Sequence, residues 1–134
     1  MTSTAGVPLA VMLTPANQHD IRQILPLVFL KYPRIGGAPG RPLDRPRRVI
    51  ADAGYASRDL LDLLAACGIA ANIPQKGETQ SPGLGKIRWP VERAIAWLKQ
   101  FRRLRIRWDR LAIIHEAFIQ IACALIAWRE LART

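Results

Sequence analysis

At 134 residues the chain has the length of one domain built on one hydrophobic core. Half of it is apolar and 22% is charged, which excludes a disordered chain, while a formal charge of +10 makes nucleic acid the first partner to consider, ahead of an acidic membrane or ribosomal RNA. Cys67 and Cys123 stand in no CxxC pair and beside no histidine cluster, which excludes a zinc site by spacing and suits free, buried thiols in a reducing cytoplasm.

The first apolar run, Val7 to Leu13, is bounded by Gly6 and by Thr14-Pro15 and predicts a strand. It is too short, and lacks the basic flank, for a signal peptide. Asp20 with Gln23 three residues on matches a capping box, and Ile21, Ile24, Leu25 and Val28 give the helix behind it, through Leu30, an apolar stripe. Lys31 to Arg48, KYPRIGGAPGRPLDRPRR, reads as an irregular basic loop.

Val49 to Ala51 forms a short strand ending at Asp52, and a helix from Arg58 to Cys67 follows, capped by Ser57 and stopped by Gly68. Ile69 to Pro74 is the next strand. Strand, helix and strand in so short a span predict parallel pairing with a right-handed crossover. The fold class is therefore α/β, with Asp52 at the carboxyl end of its strand, where open α/β sheets hold their ligands.

Residues 75–88 read as a mobile loop. A helix opens near Pro90, suited to its first turn, with Val91, Ile95 and Leu98 as the buried stripe. The basic run FRRLRIRWDR leads into a closing helix at Ala112 to Leu131. Its apolar centre, FIQIACALIAW, falls short of the roughly 20 residues a bilayer requires, so the helix is expected to be buried and the protein soluble, with no membrane partner. His19 and His115 have no third ligand at suitable spacing and are assigned structural roles.

Two carboxylates stand out. Asp52 could coordinate Mg²⁺, or could bond its own backbone in a turn before Gly54. Glu92 could share that metal, or could sit in a first helical turn because the macrodipole favours it there. Two-metal phosphoryl transfer needs carboxylates from separate elements around ions roughly 3.5 to 4 Å apart, and an Asp on a strand with a Glu on a helix suits that need. Lys99 shares Glu92's helix face at i+7. From Lys86 to Arg110 there are nine Lys or Arg against two acids, a net of +7. Such density suits phosphate contact, while the interleaved Trp89, Trp97, Phe101 and Trp108 read as packing.

The stretches GVPLAVMLTPANQHD, VIADAGYASRDLLDLLAACGIAANIPQKG and RWPVERAIAWLKQFRRLRIRWDRLAIIHEAFIQIACALIAWREL cover nearly the whole chain. They resemble the insertion-sequence transposases of the DDE type, whose catalytic domain is RNase H-like. In that family the Glu segment runs Tyr, two residues, Arg, three residues, Glu, six residues, Lys. Arg88, Glu92 and Lys99 fit, and Gly85 stands in the Tyr position.

The resemblance implies that Asp52 is the second catalytic Asp and Glu92 the catalytic Glu, both as metal ligands for Mg²⁺ or Mn²⁺. It implies water as nucleophile for the first cut and a 3′-hydroxyl for strand transfer. Double-stranded DNA, as element ends and target, becomes the partner of Arg88, Arg93, Lys99, Arg102, Arg103, Arg105, Arg107 and Arg110, in an enzyme expected to be cytoplasmic and homo-oligomeric when active.

The family's first Asp lies three residues before the position of Gly6, where this chain has Ser3, and Asp20 is expected to cap a helix away from the strand ends. The expectation is one partial catalytic domain spanning 1–134: an N-terminally truncated mixed sheet with flanking helices, completed by an upstream reading frame or left as a degenerate copy. The alternative is a catalytically dead, basic DNA-binding remnant that competes with full-length transposase. A third reading, a ribosome-associated basic protein, requires Asp52 and Glu92 to lie far apart.

Overall fold

The computed structural model describes residues 1–15, 17–36, 39–75 and 84–133, with side chains in the last segment from Trp89 onward. Two compact units divide the chain, one made of Ala16–Leu84 and the other of Met1–Pro15 with Gly85–Thr134. The predicted mobile loop lies mostly outside the described residues.

The Ala16–Leu84 unit is α/β. A 3-10 turn at Asp20–Gln23 runs into helix α1, Ile24–Phe29, and Pro26 falls in the first turn of α1, where a missing N–H breaks no helical bond. The predicted capping box does not form, because His19 takes the cap position without a side-chain bond. Strand β1, Arg48–Ile50, pairs in parallel with β2, Ala70–Asn72, in the register Arg48 with Ala70, Val49 with Ala71 and Ile50 with Asn72. Helix α2, Arg58–Ala66, crosses between them, as the strand-helix-strand spacing predicts.

Ser57 stands at the cap of α2 without a side-chain bond, and Gly68 ends the helix at φ +72°, a left-handed conformation that glycine adopts at no steric cost. Leu60 and Leu64 of α2 pack with Ile24, Val28, Ile69 and Ile73 into one buried cluster, which is the apolar stripe of each helix meeting the inner side of the strand pair. The loop ahead of β1 is not wholly irregular: Ile35 and Leu43 form an antiparallel bridge.

In the other unit, the chain start folds back on itself. Thr2 bridges Pro8, Leu9 N–H donates to the Met1 carbonyl at 3.0 Å, and Gly6 turns the chain at φ +81°. The strand predicted at Val7–Leu13 is reduced to that bridge among the described residues, since Pro8 has no N–H to give a ladder.

Helix α3 spans Leu84–Gln100, so Pro90 lies inside it and not in its first turn. Its buried side is also displaced from the predicted one: Ala94 is buried, while Val91 and Ile95 are 49% and 47% exposed. The reason is tertiary. A Cβ on Gly6 would stand 3.0 Å from the Pro90 carbonyl oxygen and 3.1 Å from Arg93 Cδ, so the N-terminal turn lies on the Pro90–Arg93 side of the helix.

Helix α4, Arg102–Arg105, and helix α5, Ala112–Leu131, complete the unit. The bounds of α5 match the predicted ones, but its burial does not. Only His115, Ile119, Ala122 and Ile126 form a buried stripe, leaving Ile113, Ile121, Leu125, Trp128 and Leu131 exposed. By length and composition this helix could cross a membrane, unlike the shorter apolar run judged from sequence. Cys67 and Cys123 are free and half-buried.

Candidate functional site

Asp52 leaves the carboxyl end of β1 and opens a 3-10 turn, Ala53–Tyr55. Its Oδ1 accepts from the Gly54 N–H at 2.9 Å, the turn-forming bond that an Asp makes two residues ahead. A Cβ on Gly54 would stand 3.0 Å from that oxygen, so the glycine lets the carboxylate settle over its own backbone. The structural role does not exhaust the group, because Asp52 is exposed and Oδ2 has no partner among the described residues.

Tyr55 shares this end of the unit. Burial raises its phenol above the ordinary value of 10.0, and Asp20 and then Asp52 raise it further. Asp20 is therefore not a side-chain cap, and the turn it opens, Asp20–Gln23, packs against the turn Ala53–Tyr55 that follows the strand end. That meeting of sequence-distant turns was not legible from spacing.

Glu92 lies within α3, exposed, eight residues after its start, which removes the first-turn explanation of an acid at this place. It has no described partner. As hard oxygen donors open to solvent, Asp52 and Glu92 have the chemistry Mg²⁺ or Mn²⁺ accepts. Asp52 and Glu92 belong to different units, and among the described residues no three Asp, Glu, His or Cys form a group that could hold a metal ion.

The basic segment divides sharply by use. Arg93 stacks between two rings, its guanidinium carbon 4.8 Å from the Trp89 centroid and 4.2 Å from that of Trp97. It also donates to the Ala5 carbonyl at 3.2 Å and lies 3.6 Å from Glu130 Oε2. Arg93 thus ties the N-terminal turn, α3 and α5 together. The signal was present in the sequence as Trp89, Arg93 and Trp97 at i, i+4 and i+8.

Arg103 pairs with Asp109 at 3.0 Å and lies over the Phe118 ring, while the Asp109 side chain is only 7% exposed and faces His115 Nδ1 at 3.6 Å. Arg105 Nε donates to the Lys99 carbonyl at 2.9 Å, satisfying one of the free carbonyls at the end of α3. Arg107 donates to the carbonyls of Asp109 and Arg110. Lys99, Arg102 and Arg110 remain exposed, with no internal partner for their side chains among the described residues. Trp108, read as packing, is 73% exposed. The side chain of Arg88 lies outside the described residues.

Ala96, Lys99, Gln100, Leu104 and Arg105 line an open hollow of about 410 Å³. Two cations in one open hollow have the chemistry to take a phosphate.

Comparison with known proteins places this arrangement. A relative from Burkholderia cepacia, "Putative transposase for insertion sequence element IS402", is 48% identical over 133 residues, which is 99% of this chain and 63% of that protein. The chain thus spans under two thirds of its relative's length. No solved structure matches it. The family model "Transposase DDE domain" matches residues 1–127, so the α/β strand end with Asp52, the helix with Glu92 and the basic run beyond it all fall within one match: the chain belongs to the DDE transposase family.

Proposed function

We propose that this chain carries the C-terminal part of an RNase H-like catalytic domain that moves an insertion sequence by cutting and rejoining DNA. The observation that bears most weight is Asp52, exposed at the carboxyl end of β1 inside the family match, with one carboxylate oxygen unengaged. Asp52 and Glu92 are the two carboxylates that would hold a divalent ion. Such an ion, when bound, acidifies the attacking water and neutralises charge on the scissile phosphate.

The protein's own contribution is to hold and orient. Gly54 fixes the Asp52 carboxylate over the turn, and α3 carries Glu92 and Lys99 on one face. Lys99, Arg102 and Arg110 take phosphates, with Arg88 beside them in sequence. Arg93, Arg103, Arg105 and Arg107 hold the segment in shape through the contacts described above and meet DNA only with what remains of their donors. The setting is cytoplasmic, where Cys67 and Cys123 stay reduced, and the active form is a homo-oligomer.

Ser3 stands where the family's first Asp is expected, so the 134-residue chain is expected to bind DNA and not to cut it. Duplex binding should weaken with salt at a log-log slope of roughly −0.9 per phosphate contact. Asp52→Ala and Glu92→Ala leaving DNA affinity and biological effect unchanged would favour the alternative, a catalytically dead DNA-binding remnant that competes with full-length transposase. Nicking by the purified chain with Mn²⁺, lost in Glu92→Gln, would overturn the expectation of an incomplete site. A binding profile insensitive to salt would overturn DNA contact itself.

A further inference from the structure

The function proposed above draws on the basic run on α3 and beyond, and leaves five arginines of the other unit without a use. Between residues 34 and 48 stand Arg34, Arg41, Arg45, Arg47 and Arg48 against one acid, Asp44. All five are exposed. The segment has an organised base: Ile35 N–H donates to the Leu43 carbonyl at 3.0 Å and Leu43 N–H returns to the Ile35 carbonyl at 2.8 Å. Beside that mutual pair, Arg34, Arg41, Pro42 and Asp44 line one hollow of about 110 Å³. Just beyond, the Arg47 carbonyl accepts from Ala70 N–H at 3.0 Å, which anchors the base of the segment to the strand pair.

We infer that this hairpin is a second DNA-contacting surface, gripping duplex phosphates through Arg34, Arg41, Arg45 and Arg47, separate from the segment 86–110. The inference takes DNA as partner from the function proposed above, but the surface is built in a different unit of the chain. Its cations are all arginine, whose planar fork engages two phosphate oxygens at once where lysine offers a point charge. Asp44 holds Arg41 at 3.5 Å and Arg45 at 3.9 Å, with both arginine side chains more than half exposed. Exposed pairs of this kind contribute little to stability and exchange readily for a phosphate.

Pro39, Pro42 and Pro46 restrict the backbone on either side of the bridge, so less freedom is lost when DNA binds. A bilayer is the poorer partner, because the described residues of the segment offer only two large apolar side chains, Ile35 and Leu43, at 36% and 39% exposure, against five arginines.

The test is fluorescence anisotropy of a labelled duplex with the full 134-residue chain across a salt series. Arg34→Ala/Arg41→Ala/Arg45→Ala is expected to flatten the log-log slope by roughly 2 to 3, at about 0.9 per contact, and to weaken binding at low salt by more than tenfold. Asp44→Asn, which disturbs no buried group, is expected to tighten binding at low salt about two- to fivefold by freeing two guanidiniums, so a poorly folded triple variant would not leave the question open. An unchanged slope in the triple variant, or no gain in Asp44→Asn, overturns the inference. Lys99→Ala/Arg102→Ala/Arg110→Ala is the companion variant: its failure to weaken binding while the hairpin variant does would refute the assignment of 86–110 and leave the hairpin standing. Vesicles rich in anionic lipid that bind as tightly as duplex, with the same loss in the triple variant, would reassign the hairpin to a membrane surface.

Discussion

Gly6 shows how one residue sets the packing around it. It needs its positive φ, and a side chain there would press on the Pro90 carbonyl oxygen and on Arg93. Gly6→Ala is expected to cost about 1–3 kcal/mol in urea unfolding, because strain and collision act together. A change under about 0.5 kcal/mol would mean the N-terminal turn is not docked on α3. Tyr55 reports on the other unit. Its phenol is raised first by burial, then by Asp20 and by Asp52, so the folded state favours the neutral form. The stability this contributes is complete below the ordinary value of 10.0 and is lost as pH rises through the higher folded value. Titration of tyrosinate absorbance in a Tyr32→Phe background should give a midpoint above the ordinary one. Asp52→Asn should lower it only part of the way, since burial remains. A midpoint at the ordinary value would mean that Tyr55 is not buried, and one left unmoved by Asp52→Asn would place Asp52 away from it.

At the scale of elements, α3 separates pattern from packing. Its sequence offers Val91, Ile95 and Leu98 as a stripe, and the folded helix buries the neighbouring side at Ala94, with Arg93 and Trp97 half-buried beside it. Ile95→Lys should therefore change stability by no more than about 0.5 kcal/mol. Ala94→Leu should cost about 1–3 kcal/mol by overpacking. Reversed magnitudes in thermal unfolding would restore the stripe read from sequence. The contrast arises because Arg93, though charged, places its guanidinium between two indoles and also engages Ala5 and Glu130. No hydropathy pattern ranks an arginine as an inward residue. In α2 the pattern and the packing agree, since Leu60 and Leu64 are buried in one cluster with Ile24, Val28, Ile69 and Ile73, all apolar.

Over the whole molecule the notable surface is apolar as well as basic. Trp89, Val91 and Ile95 on α3 are exposed, as are Trp108 and Leu111 and the long outer side of α5. Monomeric soluble proteins rarely leave so much apolar area open. The chain alone should bind an apolar fluorescent dye such as ANS under native conditions, with the signal reduced by Leu125→Lys/Trp128→Lys while far-ultraviolet circular dichroism is kept. Absence of dye binding would mean that this side is covered in solution.

Sequence by itself determined the local architecture: the parallel strand-helix-strand unit, the placement of Asp52 at a strand's carboxyl end, the bounds of α5 and the concentration of cations between Lys86 and Arg110. These follow from periodicity, turn residues and charge, which are properties of neighbours in the chain. Tertiary structure alone decided which side of α3 is buried, that Asp20 approaches Tyr55 alongside Asp52, and which cations are spent internally on Asp109, Glu130 and the carbonyls of Ala5 and Lys99. Those outcomes depend on partners far apart in the chain, and an arginine's five donors are claimed by whichever acceptor folding brings within reach.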